Sequence, residues 1–62
     1  FGHTKPVGDG VHEMKINYGP GYRVYYALAG SKIVLLLLGG DKSSQSKDIS
    51  RAKEYFKEFK RR

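Results

Sequence analysis

The sequence predicts an α+β fold in which an antiparallel three-stranded meander precedes a C-terminal helix. Two observations predict it. Three stretches rich in β-forming residues follow one another with glycine-containing turns between them. The last part of the chain then repeats its apolar residues at helical spacing. Residues 1–10 contain three glycines and a proline and are predicted to be a loop.

Each predicted strand is bounded by residues that turn the chain. Gly19-Pro20-Gly21 is predicted to connect the first two strands. Gly30-Ser31 suits a two-residue turn with glycine first. The predicted strands are residues 11–17, 22–29 and 32–38.

The third predicted strand is apolar on both faces. Its residues 33–38 read Ile-Val-Leu-Leu-Leu-Leu, a pattern typical of a central strand that is covered on both sides. One helix covers only one face of a sheet. We therefore expect the second face to be covered by a dimer mate, a partner protein or an upstream segment.

The predicted helix spans residues 45–60. Its apolar stripe consists of Ile49, Ala52, Phe56 and Phe59. Asp48 lies near the positive N-terminal end of the helix dipole, and residues 60–62 place basic side chains at the negative end. The stripe is predicted to pack on the sheet.

Size and composition limit the function classes. A chain of 62 residues has room for one domain, and such a small core is marginally stable without support. It has no cysteine, and its two histidines are far apart in sequence, so no metal or cofactor is predicted. No apolar run approaches the roughly 20 residues of a membrane span. No secretory signal is visible, and we expect a cytoplasmic protein.

The chain is strongly basic. Twelve Lys and Arg residues against six Asp and Glu give a net charge of +6. This balance favours an anionic partner, such as nucleic acid, the ribosome, a membrane surface or an acidic protein. A solvated basic surface without a partner would have the same composition.

Strand alternation divides the side chains of the first two strands between two faces. The predicted core set is Met14, Ile16, Val24, Tyr26 and Leu28. Arg23 and Tyr25 then face the other way, where they are free for function. Lys15 and Asn17 are predicted to lie beside them, and Lys42 at the mouth of the helix.

Three basic residues of this patch are candidates for catalysis on RNA. Arg23 can bind a phosphate bidentately. Lys15 and Lys42 can neutralise the charge that develops on a phosphoryl group during transfer. RNA supplies its own nucleophile, the 2′-hydroxyl, so the site needs mainly positioning, charge stabilisation and proton transfer.

Four further residues are candidates for RNA binding. Tyr25 could stack on an unpaired base. Gln45 and Ser44 lie at the predicted helix N-terminus, where backbone amides favour phosphate, and Asn17 lies on the same predicted face. Glu13 could act as a general base, although a surface ion pair with Lys15 or Arg23 is the simpler expectation.

The sequence resembles the addiction-module killer proteins, the HigB-type branch of the RelE/ParE toxin superfamily. The resemblance extends from Lys5 to about Phe59. It is carried by residues 5–26 (KPVGDGVHEMKINYGPGYRVYY), 34–45 (VLLLLGGDKSSQ) and 48–53 (DISRAK). The family usually has an N-terminal strand and a helical hairpin before the segment that matches Lys5. The resemblance therefore implies that residues 1–62 are a single RelE-like toxin domain, truncated at its N-terminus.

The resemblance also implies a function. Such a protein is a bacterial type II toxin that inhibits translation by cleaving mRNA in the ribosomal A site. An antitoxin protein, often a helix-turn-helix repressor, neutralises it. The arginine of the Gly-Tyr-Arg strand, Arg23 here, and a basic residue after the last strand, Lys42 here, belong to the family's catalytic site. Lys15 is the nearest match to the lysines of the preceding strand.

Other function classes remain open. The ParE branch shares the fold but acts on gyrase, without RNA cleavage. A truncated toxin could be inactive and only bind antitoxin. A simple basic RNA-binding module would bind any RNA in a strongly salt-dependent way and cleave none. A homo-oligomer is compatible with each of these.

Overall fold

The computed structural model describes residues 3–19 and 21–62. Its elements in chain order are β1 (Thr4–Gly8), β2 (Val11–Ile16), β3 (Tyr22–Ala29), β4 (Lys32–Gly39), a short 3₁₀ helix (Lys42–Ser44) and α1 (Gln45–Arg61). The strands form one antiparallel sheet in the order β1-β2-β3-β4, and α1 packs on one face of it. The α+β class, the three predicted strands and the C-terminal helix are confirmed. The sheet has a fourth strand where none was predicted.

The loop predicted for residues 1–10 is wrong for Thr4–Gly8, which form β1. Asp9 and Gly10 have φ angles of 54° and 80°, and positive φ at both positions is typical of a tight two-residue hairpin. Pro6 weakened the strand signal, yet it is tolerated because β1 lies at an edge of the sheet. Residues 1 and 2 lie outside the described residues, as does Pro20 of the predicted turn.

β4 is an edge strand in the described part of the chain, not the central strand that its composition predicted. A β-bulge explains the misleading pattern. Tyr25 pairs with Leu37 and Tyr26 with Leu35, so Leu36 is an extra residue in β4. Because of this extra residue, Leu36 and its neighbour Leu37 both pack against the core. Leu35 is 69% exposed.

The helix covers the face of the sheet that the sequence predicted to be free. The buried core consists of Val11, Tyr25, Ala27, Ala52 and Phe56. The predicted core set around Met14 and Val24 lies on the opposite face, so the two faces were assigned the wrong way round. The helix packs on this face because it can approach the sheet closely there. At the buried Gly39, a Cβ would lie 2.8 Å from the Tyr25 ring and 2.8 Å from the Asp48 carboxylate.

The start of α1 is fixed by side-chain hydrogen bonds. The Ser44 hydroxyl donates to Asp48 Oδ2 at 2.8 Å, and the Gly40 N–H donates to the same oxygen at 3.4 Å. The predicted apolar stripe is buried at Ala52 and Phe56, whereas Phe59, near the end of the helix, is 41% exposed. In residues 3–19 and 21–62, no helix has both the length and the apolar character needed to cross a bilayer.

The second face of the sheet, here called the open face, has no cover among the described residues. Leu28, Ile33, Leu35 and Leu38 are 57, 71, 69 and 67% exposed. The same face also carries half-buried side chains, those of Met14, Ile16, Val24 and Tyr26. The need for a second cover stays a prediction, and the open face is where such a cover would bind.

Candidate functional site

An open cavity of about 330 Å³ lies between the β1–β2–β3 end of the sheet and the start of α1. It is lined by His3, Thr4, Lys5, Glu13, Lys15, Arg23, Lys42 and Gln45. Four of these side chains are cationic and one is a carboxylate. The cavity is therefore suited to an anionic ligand.

Strand pairing places the sheet residues of this cavity in two rows. Lys15 pairs with Arg23 across β2 and β3, which agrees with the prediction that the two lie near each other on one face. One row further along, Lys5 pairs with Glu13, and Glu13 pairs with Tyr25. Side chains directly opposite one another in a sheet lie close together on one face. The helix-covered face therefore gathers these groups beside the N-terminus of α1.

Glu13 is the centre of the hydrogen-bond network in the cavity. It is only 3% exposed. Its Oε2 accepts from the Tyr25 hydroxyl at 3.0 Å and from Gln45 Nε2 at 2.9 Å. Its Oε1 lies 3.8 Å from Lys5 Nζ and 3.8 Å from Arg23 Nε. Glu13 thus pairs with Arg23 as expected, but it is buried rather than on the surface.

Arg23 is buried, but not all of its N–H groups have a hydrogen-bond acceptor among the residues that the structure describes. Its side chain is 8% exposed, and its Nε is completely buried with no hydrogen-bond acceptor within reach in the described residues. The 3.8 Å separation from Glu13 is an ion pair but too long for a hydrogen bond. A buried donor without an acceptor is costly.

Tyr25 is not available to stack on a base. It is fully buried under α1, and its hydroxyl is bound to Glu13. The predicted role failed because the face assignment was reversed: the side of β3 that carries Tyr25 is the side the helix covers. Tyr25 instead orients Glu13 from below.

Burial raises the pKa of the Tyr25 hydroxyl far above its usual range, and its hydrogen bond to Glu13 adds to the increase. The folded state therefore keeps this proton after the unfolded chain has lost it. Its stabilising contribution is complete below the ordinary tyrosine pKa of about 10 and is lost as the pH rises toward the folded value.

We expect the unfolding free energy to fall above pH 10 by up to about 1.4 kcal/mol per pH unit from this group. Urea unfolding between pH 8 and 12 measures it. Tyr25→Phe should remove this part of the slope, whereas Tyr55→Phe, at a 45% exposed tyrosine of the helix, should keep it. Equal slopes in the parent and in Tyr25→Phe would contradict the assignment.

Of the remaining predicted site residues, some line the cavity and others do not. Lys42 and Gln45 line the cavity as predicted. Hydrogen bonds from Ser43 hold the pKa of the Asp41 carboxyl below its usual range, and this ionised group anchors the turn that carries Lys42. Ser44 uses its hydroxyl within the helix start and does not line the cavity. Asn17 follows β2, is exposed, and does not line it either.

The sequence interpretation missed Lys5 and His3, because residues 1–10 were predicted to be a loop. The Lys15 N–H donates to the His3 carbonyl oxygen at 2.9 Å, which extends the β1–β2 pairing to the cavity. The Asp9-Gly10 pair between two short β-forming stretches was the signal that could have revealed β1.

Comparison with known proteins adds one relative. A protein of Haemophilus influenzae, described only as an uncharacterized protein, is 53% identical over 53 residues. The match covers 86% of this chain and 54% of the relative, so the chain spans about half the length of that relative. No protein family matches the chain. No solved structure matches it.

Proposed function

We propose that this chain is a RelE-like toxin domain of the HigB type, a ribosome-dependent endoribonuclease that cleaves mRNA. The observation that carries the proposal is the cationic cavity, in which Arg23, Lys15 and Lys42 meet beside the N-terminus of α1. These are the three residues that both the strand pattern and the family resemblance single out. The proposed partners are mRNA, the ribosome and an antitoxin protein.

The proposed reaction is an internal transesterification of RNA. In this reaction the 2′-oxygen attacks the adjacent phosphorus and the bond to the 5′-oxygen breaks. The 2′-hydroxyl loses a proton and the 5′-oxygen gains one, leaving a 2′,3′-cyclic phosphate and a 5′-hydroxyl. Negative charge builds on the phosphoryl oxygens during the attack, and cationic donors fixed in advance stabilise it.

Arg23 is the proposed phosphate-binding group. Its guanidinium is planar, permanently charged and able to donate two parallel hydrogen bonds to a phosphate. Glu13, Tyr25 and the surrounding sheet hold it at the cavity wall. Lys15 and Lys42 are exposed, so they add mobile positive charge around the same phosphate. Lys5 is a fourth cation, on the β1 side.

Glu13 is proposed as a positioning residue rather than the general base. Tyr25 and Gln45 occupy one of its oxygens, and Arg23 and Lys5 lie nearest the other. A carboxylate held in this way is poorly available to take a proton from the substrate. Its negative charge instead makes the burial of Arg23 possible, because a buried charge needs a counter-charge.

His3 is the proposed proton-transfer group. It is exposed at the cavity, and imidazole is the side chain that enzymes use most often for proton transfer near neutral pH. We expect His3→Ala to slow cleavage by about 10²-fold or more, the usual scale for losing a general acid or base. The measurement is single-turnover cleavage of ribosome-bound mRNA as a function of pH.

His12 provides the matched control for this prediction. It stacks on Tyr26 on the open face, with ring centroids 5.4 Å apart, away from the cavity. His12→Ala should leave the cleavage rate and its pH profile unchanged. If both variants cleave like the parent, proton transfer belongs to another group or to solvent.

Primer extension on a defined mRNA in a reconstituted translation system tests the proposed function. Codon-positioned cuts that require ribosomes are expected. Cuts in naked RNA alone would point to a nonspecific nuclease. Salt-dependent RNA binding with no cuts would favour a simple binding module.

The open face favours a second candidate, a protein-binding role without catalysis. Uncharged side chains such as Leu28, Ile33 and Leu35 form a large exposed apolar surface, which commonly marks a protein interaction site. An inactive toxin that only binds antitoxin, or a gyrase-directed toxin, would use such a surface and would not need Arg23. Antitoxin binding or inhibition of supercoiling, without RNA cleavage, would support this candidate.

A further inference from the structure

We propose that a second groove, between α1 and the β1–β2 turn, binds the backbone of a single RNA strand that extends from the cationic cavity. This inference rests on the proposed function and adds a separate binding surface to it. The groove, here called the lysine groove, has a volume of about 510 Å³ and is open to solvent. Its cations are Lys53, Lys57 and Lys60.

Helix geometry places these three lysines on one flank of α1. At about 100° per residue, positions 53, 57 and 60 fall within one narrow sector beside the buried stripe. Lys47 and Arg51 fall on the opposite flank and line neither of the two cavities. Three of the six basic residues of α1 therefore face the groove.

The lysine groove continues the line of the cavity. Gln45, at the cavity, is the first residue of α1. At 1.5 Å per residue, Lys53, Lys57 and Lys60 follow at about 12, 18 and 22 Å along the helix axis. On the sheet side, Lys5 lines the cavity and Asp9, just after β1, lines the groove. A strand leaving the cavity between β1 and α1 would pass these lysines in turn.

The groove keeps a net positive charge, because its three lysines outnumber its two carboxylates. Asp9 and Glu54 line it too. Asp9 lies 3.9 Å from Lys53 Nζ, and its side chain is 75% exposed. Exposed pairs of this kind contribute little. A phosphate can replace Asp9 as the partner of Lys53 at small cost, while Lys57 keeps a charge that no described carboxylate pairs.

The expected partner is a single strand rather than a duplex. The groove lies beside one helix, and its three cations follow one another along one flank of that helix. The Phe56 ring at its floor is covered by Lys60 Nζ at 4.6 Å from the ring centroid, so it offers no open face for a base. The groove should therefore contact phosphates and read no sequence.

The test is the salt dependence of RNA binding. The affinity of a labelled single-stranded RNA of about 12 nucleotides is measured between 50 and 200 mM salt. Each phosphate contact contributes about 0.7 to the slope of log K against log salt for a single strand. The triple variant Lys53→Gln, Lys57→Gln, Lys60→Gln is expected to reduce the slope by about 2.

The matched control carries the same change in net charge elsewhere. Lys32→Gln, Lys47→Gln, Arg51→Gln removes three exposed cations, from the start of β4 and the far flank of α1. It should change the slope much less. A short RNA of about three nucleotides, which fills only the cavity, should lose nothing in the lysine-groove variant.

The outcomes separate this inference from the proposed function. Equal losses in the two triple variants would mean a long-range charge effect and would overturn the lysine groove. An unchanged slope in the lysine-groove variant, with binding lost in Arg23→Lys, would overturn the groove and leave the cavity intact. A parent chain that binds no RNA at low salt would overturn the lysine groove, whereas ribosome-dependent cleavage is tested separately by primer extension.

Discussion

Arg23→Ala is expected to lower ribosome-dependent mRNA cleavage by about 10²–10³-fold, the usual effect of removing one fixed donor to transition-state charge. Among the described residues that line the cavity, Arg23 is the only cation that is buried, and the sheet therefore fixes its position. Arg23→Lys should restore little, because an ammonium cannot make the two parallel hydrogen bonds of a guanidinium. Single-turnover primer extension measures both.

The control must separate lost chemistry from lost folding. Removing Arg23 leaves Glu13 buried with one cation fewer, which could destabilise the sheet. The double variant Arg23→Ala, Glu13→Gln removes both charges, and circular dichroism reports whether each variant is folded. Arg51→Ala, at an exposed position on the far flank of α1, should cleave like the parent. A folded Arg23→Ala chain that cuts at the parent rate would refute the site.

The isolated 62-residue chain is expected to self-associate rather than to stay a compact monomer. The open face exposes Leu28, Ile33, Leu35 and Leu38 by more than half, and β4 adds an unpaired edge beside them. Unprotected apolar edges of this kind favour pairing with another chain. Light scattering over a concentration series is the measurement, with a mass above one chain at micromolar concentration as the expected result.

Two substitutions test the surface involved. Ile33→Thr with Leu35→Thr keeps β-forming residues in β4 and removes exposed apolar side chains. Since burying one such side chain contributes about 1.5–3 kcal/mol, the dissociation constant should rise by at least about 100-fold. Tyr18→Thr with Tyr55→Thr removes exposed apolar groups from the β2–β3 turn and the helix, and should leave association unchanged. A stable parent monomer would contradict the prediction.

The sequence was a good guide wherever local chemistry decides the structure. Turn residues and β-forming runs located β2, β3 and β4 within a residue of their ends. The turn at Gly30-Ser31 is confirmed, since Ala29 pairs with Lys32 and Gly30 has a φ of 64°. Strand alternation and the turn predicted at residues 19–21 placed Lys15 near Arg23 on one face, and the two residues are direct partners in the sheet.

The sequence was a poor guide to which face the helix covers. The more apolar face, with Val24 and Leu28, is the open one, and the helix packs on a face that carries Glu13 and Arg23. Hydropathy ranks the two faces of the sheet by the free energy of exposing them to water, whereas the packing of α1 also depends on the shape of each face. Gly39 permits the close approach, and a single missing side chain leaves almost no trace in a hydropathy pattern.

The arrangement of the strands also fixes the order in which the cavity can form. Every strand of the sheet pairs with its neighbour in sequence, so three hairpins can close locally and quickly. The contact between Gln45 and Glu13 joins residues 32 positions apart and exists only once α1 has docked. Lys42 reaches the cavity by the same late event. The cavity is therefore completed last: the sheet alone supplies the wall with Arg23 and Lys15, and the wall with Lys42 and Gln45 is added only when α1 docks.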